Sequence, residues 1–370
     1  SQLPKKSKVA IGSSDSSYVE MIKSSLLSGI LSLGHEVFDL GKTILPIAKK
    51  AVKQHKLSNG VYLRDRTDGE IIIEFFDSNG SIIDKGMQRK IQHTFLRDDF
   101  QRCVYDDIQK VQIFPNINEI YMTNHIKNFD VDLISEENLV IGCSTTDKIT
   151  LELLLSYLGR LGVKPVQLKN NSPKSQYDLI IAVEDYGNII RLGIDDFMTD
   201  NTYNHILNSI ITCKSGMVDY ITLPLNSPKI IQDIAEKYHI NVKWSKISNY
   251  EPPDIFEFAS RIIEYMCSNK VKFNDLLDEI PPYYWKHKNV SCPWEAKGKV
   301  IRQLMKVENP KTKIETLEGV KLHHEGGCVL VLPDPEKAFC KVYGEGYTEE
   351  FAESITEELI EKIEKIRDGK

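Results

Sequence analysis

The sequence predicts an α/β protein of three α/β/α domains followed by a C-terminal α+β domain, an antiparallel sheet with helices. A strand–helix–strand opening recurs three times, and in the final segment strands gather before one long helix. A chain of 370 residues is too long for one compact core. Shifts in this pattern place domains at 1–132, 133–213, 214–284 and 285–370.

The first opening starts with the strand Val9-Ala10-Ile11-Gly12. Ser17 and Glu20 offer a capping box for the helix that follows. Ile22, Leu26, Ile30 and Leu33 recur along it at helical spacing, and Gly34 ends it. Val37 to Leu40 is the second strand, and a second helix is expected from Ile47 to His55. Glu70 to Phe76 and Ser81 to Ile83 flank Asn79-Gly80 and read as a hairpin. A polar helix is expected from Lys85 to Arg102.

The second opening is Leu139 to Gly142, a helix from Asp147 to Leu161, and the strands Val163 to Leu168 and Leu179 to Val183. The third is Tyr220 to Leu223, a helix from Pro228 to Tyr238, and the strand Asn241 to Trp244, with a helix from Asp254 to Cys267 beyond it. The last segment predicts a helix from Lys297 to Lys306 and strands at Gly319 to His323, Cys328 to Leu332 and Phe339 to Tyr343. A closing helix from Thr348 to Arg367 carries the stripe Phe351, Ile355, Leu359, Ile363 and Ile366, with exposed pairs Glu358/Lys362 and Glu361/Lys365.

Hydrophobic content of 41% and charged content of 27% are those of a soluble globular chain. A formal net charge of −6 argues against nucleic acid or an anionic membrane as a partner. No apolar run approaches the ~20 residues of a bilayer span. Ser1 to Lys8 lacks the apolar core of a signal peptide and reads as a linker, so the chain is expected to be a fragment of a longer protein. Seven cysteines without a CxxC pair point to a reduced, cytoplasmic setting.

Met21 to Ile30 and Asp39-Leu40-Gly41 resemble the first helix and second strand of the α-D-phosphohexomutases, the family of phosphomannomutase and phosphoglucomutase. Gln88-Arg89-Lys90-Ile91, Arg97-Asp98-Asp99-Phe100, Ser291 to Arg302 and Val329 to Glu336 are similar to the mutase-like C-terminal half of fused mannose-1-phosphate guanylyltransferases. The resemblance spans essentially the whole chain. It implies a phosphoserine loop, a Mg²⁺ loop, a sugar-reading loop and a phosphate-holding loop, and each can be compared with the residues present.

The phosphoserine loop of the family reads Thr-Ala-Ser-His-Asn-Pro, and its nucleophile must be a hydroxyl. Arg64, Asp65, Arg66, Thr67, Asp68 and Gly69 stand there, with Arg66 at the serine. Three readings stand: a solvated charged turn, a phosphate grip by Arg64 and Arg66, or a shifted register that brings Thr67 into the serine's place. The Mg²⁺ loop should read Asp-Gly-Asp-Gly-Asp-Arg, because that ion needs hard oxygen ligands. Here Glu184-Asp185-Tyr186-Gly187-Asn188 follows the strand; Glu184 and Asn188 are the candidate ligands that remain, and Asp185, at a glycine position, is expected to point elsewhere. Asp195, Asp196 and Asp200 read as a charged turn.

The sugar-reading loop has no counterpart between Ile247 and the helix beginning at Asp254. The phosphate-holding loop, Arg-Pro-Ser-Gly-Thr-Glu-Pro in the family, is replaced by Leu332-Pro333-Asp334-Pro335-Glu336-Lys337-Ala338, in which Lys337 is a weak anion contact. Adjacent His323 and His324 point to opposite strand faces, so with Cys328 and Cys340 they make a poor zinc set. Ile280 to Trp285 reads as a packed linker.

The resemblance and these losses together predict a degenerate, non-catalytic module with a regulatory, phosphosugar-binding or assembly role. The expected partners are an N-terminal nucleotidyltransferase domain of the same protein, a sugar phosphate or nucleotide sugar, and a second copy in a homo-oligomer. No cofactor is expected, or Mg²⁺ if the loop functions. The alternative is an active phosphomannomutase or phosphoglucomutase using Thr67 and Glu184.

Overall fold

The computed structural model describes residues 3–66, 69–168, 174–216, 218–247, 250–306, 313–316, 318–334 and 337–369. Ser1–Asn201 with Glu251–Phe273 form one compact unit, and Thr202–Tyr250 with Asn274–Lys370 form a second. No described helix is long and apolar enough to cross a membrane.

The first unit opens with β1 (Lys8–Ser13), α1 (Ser17–Ser32), β2 (Glu36–Lys42), α2 (Leu45–Gln54), β3 (Asn59–Asp65) and β4 (Ile71–Phe76). α3 (Lys85–Leu96), β5 (Val111–Ile113), α4 (Ile117–Ile126) and α5 (Val131–Glu136) follow. The sheet order is β4-β3-β1-β2-β5, and β4 alone runs antiparallel, against β3. Val9, Ile11, Val37, Val61 and Leu63 form one apolar face under Val19, Ile22, Leu26 and Ile30 of α1. α2 packs on β1 and β3. Gly60 permits that approach, because a Cβ there would stand 2.4 Å from Val52.

A second sheet in this unit is built from β6 (Val140–Thr145), α6 (Lys148–Leu161), β7 (Lys164–Gln167), β8 (Leu179–Glu184), β9 (Ile189–Ile194) and β10 (Phe197–Met198). Its order is β10-β9-β8-β6-β7, with β6, β7 and β8 parallel.

Along the chain come α7 (Asn201–Lys214), β11 (Tyr220–Pro224), α8 (Lys229–Lys237), β12 (Asn241–Ser245), α9 (Ile255–Asn269) and α10 (Phe273–Asp278). α9 belongs to the first unit, packed on α5 and α6. In the second unit the parallel pair β11–β12 packs through Ile221 and Leu223 on Ile206 and Ile210 of α7 and Ile230 and Ile234 of α8. The remainder is β13 (Tyr284–Ser291), α11 (Trp294–Leu304), β14 (Lys313–Glu315), β15 (Val320–His324), β16 (Gly327–Pro333), β17 (Phe339–Gly346) and α12 (Glu349–Asp368). These strands form an antiparallel sheet ordered β13-β17-β16-β15-β14. Ile355, Leu359, Ile363 and Ile366 of α12 bury against it as the stripe predicts.

The architecture is the expected one, several α/β/α layers and a C-terminal antiparallel sheet, but local details differ. The capping box does not form: Ser16 is the N-cap of α1, and it makes no side-chain cap bond. The helix expected to reach Arg102 stops at Leu96, and Asp98 just beyond turns left-handed at φ 53°. The Asn79-Gly80 turn forms with Gly80 at φ 80°, yet only the single bridge Phe76–Ile82 follows it, not a strand. Of the closing helix's two exposed pairs, Glu361 and Lys365 lie 3.5 Å apart.

His205 on α7 gives the second unit a pH-dependent stability. Its Nε2 lies 2.8 Å from Ser227 Oγ, and its Nδ1 lies 3.1 Å from the Tyr250 hydroxyl. Burial pushes this imidazole down from 6.5 to about 4. Between those values the unfolded chain binds a proton that the native chain refuses. Stability is therefore complete above about pH 6.5 and falls as the pH drops toward 4, by an order of 2–3 kcal/mol. Urea unfolding across that window should show the slope, and a His205→Gln variant should lose it.

Candidate functional site

β3 and β8 end close together in the first unit, and their terminal side chains form one bonded cluster. β3 is buried along nearly its whole length, and Arg64, on its penultimate position, is 2% exposed. A buried guanidinium must be matched by anions. Arg64 Nε donates to Asp185 Oδ1 at 2.7 Å, and Nη2 donates to Asp185 Oδ2 at 3.1 Å, a bidentate fork. Nη2 also donates to Glu74 Oε1 at 3.2 Å, and Nη1 lies 3.0 Å from Glu74 Oε2. Glu74 pairs with Tyr62 across β3–β4, which places it diagonal to Arg64 on the same face. Burial opposes the Arg64 charge, but the bonds to Asp185 and Glu74 outweigh it and raise the guanidinium further.

Asp65 completes the link. Its Oδ1 accepts from the Tyr186 hydroxyl at 2.8 Å and from Ser14 Oγ at 3.0 Å. Burial, reinforced by the Asp65 carboxylate, pushes the Tyr186 phenol up, so it stays protonated and donates. The backbone after β8 is unusual: Asp185 and Tyr186 both sit at φ 53°, followed by Gly187 at φ 85°. Left-handed non-glycine residues cost roughly 1–3 kcal/mol each and persist where the surroundings over-determine them. The Arg64–Asp185 fork and the Tyr186–Asp65 bond are that surrounding. This is a backbone suited to glycine, held in place here by a carboxylate and a phenol.

These positions bear on three expectations. Arg64 is not part of a solvated turn: its Nε and Nη2 donate to Asp185 and Glu74, and its charge is matched by these two acids rather than offered to an anion. Asp185, expected to point elsewhere than a metal, turns to Arg64 and is its main partner. The Asn188 side-chain amide donates to Asp185 Oδ2 at 2.9 Å, which ties it to the same cluster. Glu184 Oε1 lies 3.6 Å from Arg191 Nε. Arg66 is exposed, with Glu70 3.7 Å away. Thr67 and Asp68 lie outside the described residues, as do Ser248 and Asn249, where the sugar-reading loop was sought, and Pro335 and Glu336.

Lys337 lies in the second unit, exposed. The segment around it is organised from below by Lys297, a 7% exposed cation whose Nζ donates to the carbonyls of Asp334 and Lys337 at 2.6 and 2.5 Å. Asp334 Oδ2 faces Lys341 at 3.2 Å. Carbonyls turned onto a buried ammonium, with a paired acid beside them, do not form an anion cradle. His323 Nε2 lies 3.3 Å from Glu315. The Cys328 thiol donates to Glu345, and Cys340 lies in the apolar core. Among the described residues these side chains make no metal cluster.

Mg²⁺ can be tested directly against the loop after β8. The carboxylates there, Glu184 and Asp185, each face a guanidinium, and the Tyr186 and Asn188 side chains are bonded within the cluster. A cation requiring several free hard oxygens does not fit a loop whose charge Arg64 already balances. Sequence reading missed Ser14, Glu74, Tyr186 and the pairing of Asp185. One available signal was an arginine at the end of a fully buried strand, which demands a carboxylate somewhere.

The fold defines a multidomain α/β protein with a C-terminal antiparallel sheet, an architecture that solved phosphohexomutase structures share. The description "Phosphoglucomutase/phosphomannomutase, alpha/beta/alpha domain I" matches residues 1–102. A phosphoglucosamine mutase of Methanococcus maripaludis strain C7 is 22% identical over 413 residues, covering 96% of this chain and 92% of that protein. A phosphoglucomutase/phosphomannomutase of Thermococcus kodakarensis is 22% identical over 407 residues, covering 95% and 88%. The crystal structure of a phosphoglucomutase/phosphomannomutase family protein from Burkholderia thailandensis superimposes with a TM-score of 0.80 at 10% identity, covering 98% of this chain and 90% of that one. These likenesses agree on a phosphohexomutase fold across nearly the whole chain.

Proposed function

We propose that this protein is a phosphohexomutase-type module that has exchanged turnover for a regulatory, phosphosugar-binding or assembly role, with a sugar-nucleotidyltransferase domain as its working partner. The observation that carries this reading is the Arg64–Asp185 fork. It ties together the two loops that, by resemblance, would present the phosphoserine and the metal. None of the described hydroxyls in this cluster stands at the serine position, and the cluster's charge is neutralised from within. Losing the nucleophile and the metal together removes most of what lowers the barrier in phosphoryl transfer. The expected ligand is a sugar phosphate or nucleotide sugar, and self-association is compatible with the assembly role.

A second reading, an active phosphohexomutase, is favoured by the relatives, which carry mutase names over nearly the whole chain. The likenesses support that reading more than the first; the loop geometry supports it less. They separate in one assay. With Mg²⁺ and a hexose bisphosphate activator, the chain should interconvert neither the 1- and 6-phosphates of glucose and mannose nor those of glucosamine. Its intact mass should carry no phosphoryl adduct. Turnover that Thr67→Ala or Glu184→Gln abolishes would establish the second reading instead.

A further inference from the structure

The first unit holds a second polar cluster, apart from the loops after β3 and β8. α4 contributes His125, and the start of α9 contributes Asp254, its N-cap residue, and Glu257. One ligand atom from each lies within 4.8 Å of the others. His125 is 5% exposed, so its ring must be matched by partners. Nδ1 lies 2.7 Å from the Tyr157 hydroxyl, which lies 2.7 Å from Ser260 Oγ. A chain in which Nδ1–H donates to Tyr157, and Tyr157 to Ser260, leaves Nε2 as a bare lone pair.

Nε2 has no hydrogen-bond partner, and it faces Glu257 Oε2 at 3.8 Å. That distance is too long for a hydrogen bond. A lone pair opposed to a carboxylate in a buried setting is repulsive until a cation stands between them. Ligands about 2.0–2.1 Å from a tetrahedral Zn²⁺ lie roughly 3.4 Å apart, so closing the gap takes a few tenths of an ångström.

The surrounding bonds leave the needed oxygens available. Arg261 Nη2 donates to Glu257 Oε1 at 2.6 Å, fixing the carboxylate while Oε2 stays turned to His125. Asp254 Oδ1 accepts from the amides of Phe256 and Glu257, and Oδ2 accepts from Tyr121 at 2.7 Å. A carboxylate oxygen accepting one such bond keeps a second lone pair. Asp254 and Glu257 also line a cleft of ≈ 340 Å³ with Pro46, Lys49, Asn79 and Gly80, which gives an ion a way in.

We propose that His125 Nε2, Glu257 Oε2 and an Asp254 carboxylate oxygen form a binding site for a first-row divalent cation of the zinc class. Two carboxylates balance the ion's charge, and the imidazole selects against Mg²⁺ and Ca²⁺. Tyr157 and Ser260 supply the outer bonds that orient a metal-binding histidine. Three protein ligands leave a further coordination position for water from the cleft. This site is independent of the loop cluster and of any mutase activity.

Zn²⁺ titration by calorimetry and Co²⁺ absorption spectroscopy test it on the full chain, freed of metal by chelation. The wild-type chain should take up one ion and show visible Co²⁺ bands, and Zn²⁺ should raise its unfolding temperature. Glu257→Gln and His125→Gln should each weaken binding at least about tenfold. Glu257 is partly exposed, so its variant remains a fair test if the histidine variant misfolds. A folded wild-type chain that binds neither ion would overturn the site and leave an ordinary histidine–carboxylate contact. Binding by Glu257→Gln as tight as wild type would overturn it equally.

Discussion

Arg64→Met should destabilise the first unit by about 2–4 kcal/mol, one of the two largest effects expected of a single substitution here. Methionine fills much the same volume, so the loss is electrostatic rather than a cavity. It leaves Asp185 and Glu74, whose side chains are 26% and 18% exposed, facing one another without a cation. Partial exposure of both acids is why the cost falls below that of breaking a fully buried pair. Asp185→Gly alone should also destabilise, because it removes the bidentate partner. In the Arg64→Met background the same change should recover stability, since it removes an uncompensated carboxylate and relieves the left-handed backbone at φ 53°.

The chain has two units and need not unfold in one step. Hydrogen exchange at β3 and β4 amides should therefore accompany denaturant unfolding. If Arg64→Met is neutral, or if the two substitutions simply add, the fork does not hold these loops. The same cycle bears on function. If Arg64→Met with Asp185→Gly acquires phosphosugar affinity that the parent lacks, the fork is also what closes the loops to ligand.

Much of the fold was legible because its signals are local. The apolar runs in β1, β6 and β11 are each bounded by turn residues, and the spacing of Ile355, Leu359, Ile363 and Ile366 fixes the buried face of α12. Elements without a local signal were missed. β5 is three residues long and exposed at every one, so it has no alternation to read. α5 is six residues long, too short to show a helical period. The cluster around Arg64 was illegible for another reason. Arg64-Asp65-Arg66 looks like any charged turn, and what makes Arg64 internal is a carboxylate 121 positions away. His125 is likewise separated by more than a hundred residues from the two acids it faces. Composition cannot announce such pairs; only the packing of β3 against the loop after β8, or of α4 against α9, creates them.

Glu345→Leu should cost the second unit about 3–5 kcal/mol, the counterpart of the Arg64 result with the sign of the stranded charge reversed. The Glu345 side chain, on β17, is 10% exposed and collects donors from several elements. The backbone N–H of Lys229, at the start of α8, donates to Oε2 at 3.0 Å, and the Tyr283 hydroxyl donates to the same oxygen. The Cys328 thiol donates to Oε1, and Lys321 Nζ, on a side chain 3% exposed, stands 3.6 Å from it. Burial, reinforced by the facing carboxylate, pushes the Tyr283 phenol and the Cys328 thiol upward, so both remain donors. Removing the acid strands a buried ammonium and leaves three donors without their acceptor. Trp244, whose ring lies 5.1 Å from Lys321 Nζ, compensates only in part. Glu345→Gln should lose less, because it keeps one acceptor oxygen, but its amide must then face the lysine or a hydroxyl. Adding Lys321→Met to Glu345→Leu should return most of the loss, since an apolar pair of similar volume replaces an ionic one. If the double variant stays as unstable as Glu345→Leu, the carboxylate acts through the α8 amide and Tyr283, anchoring that helix to the sheet, and the lysine is incidental.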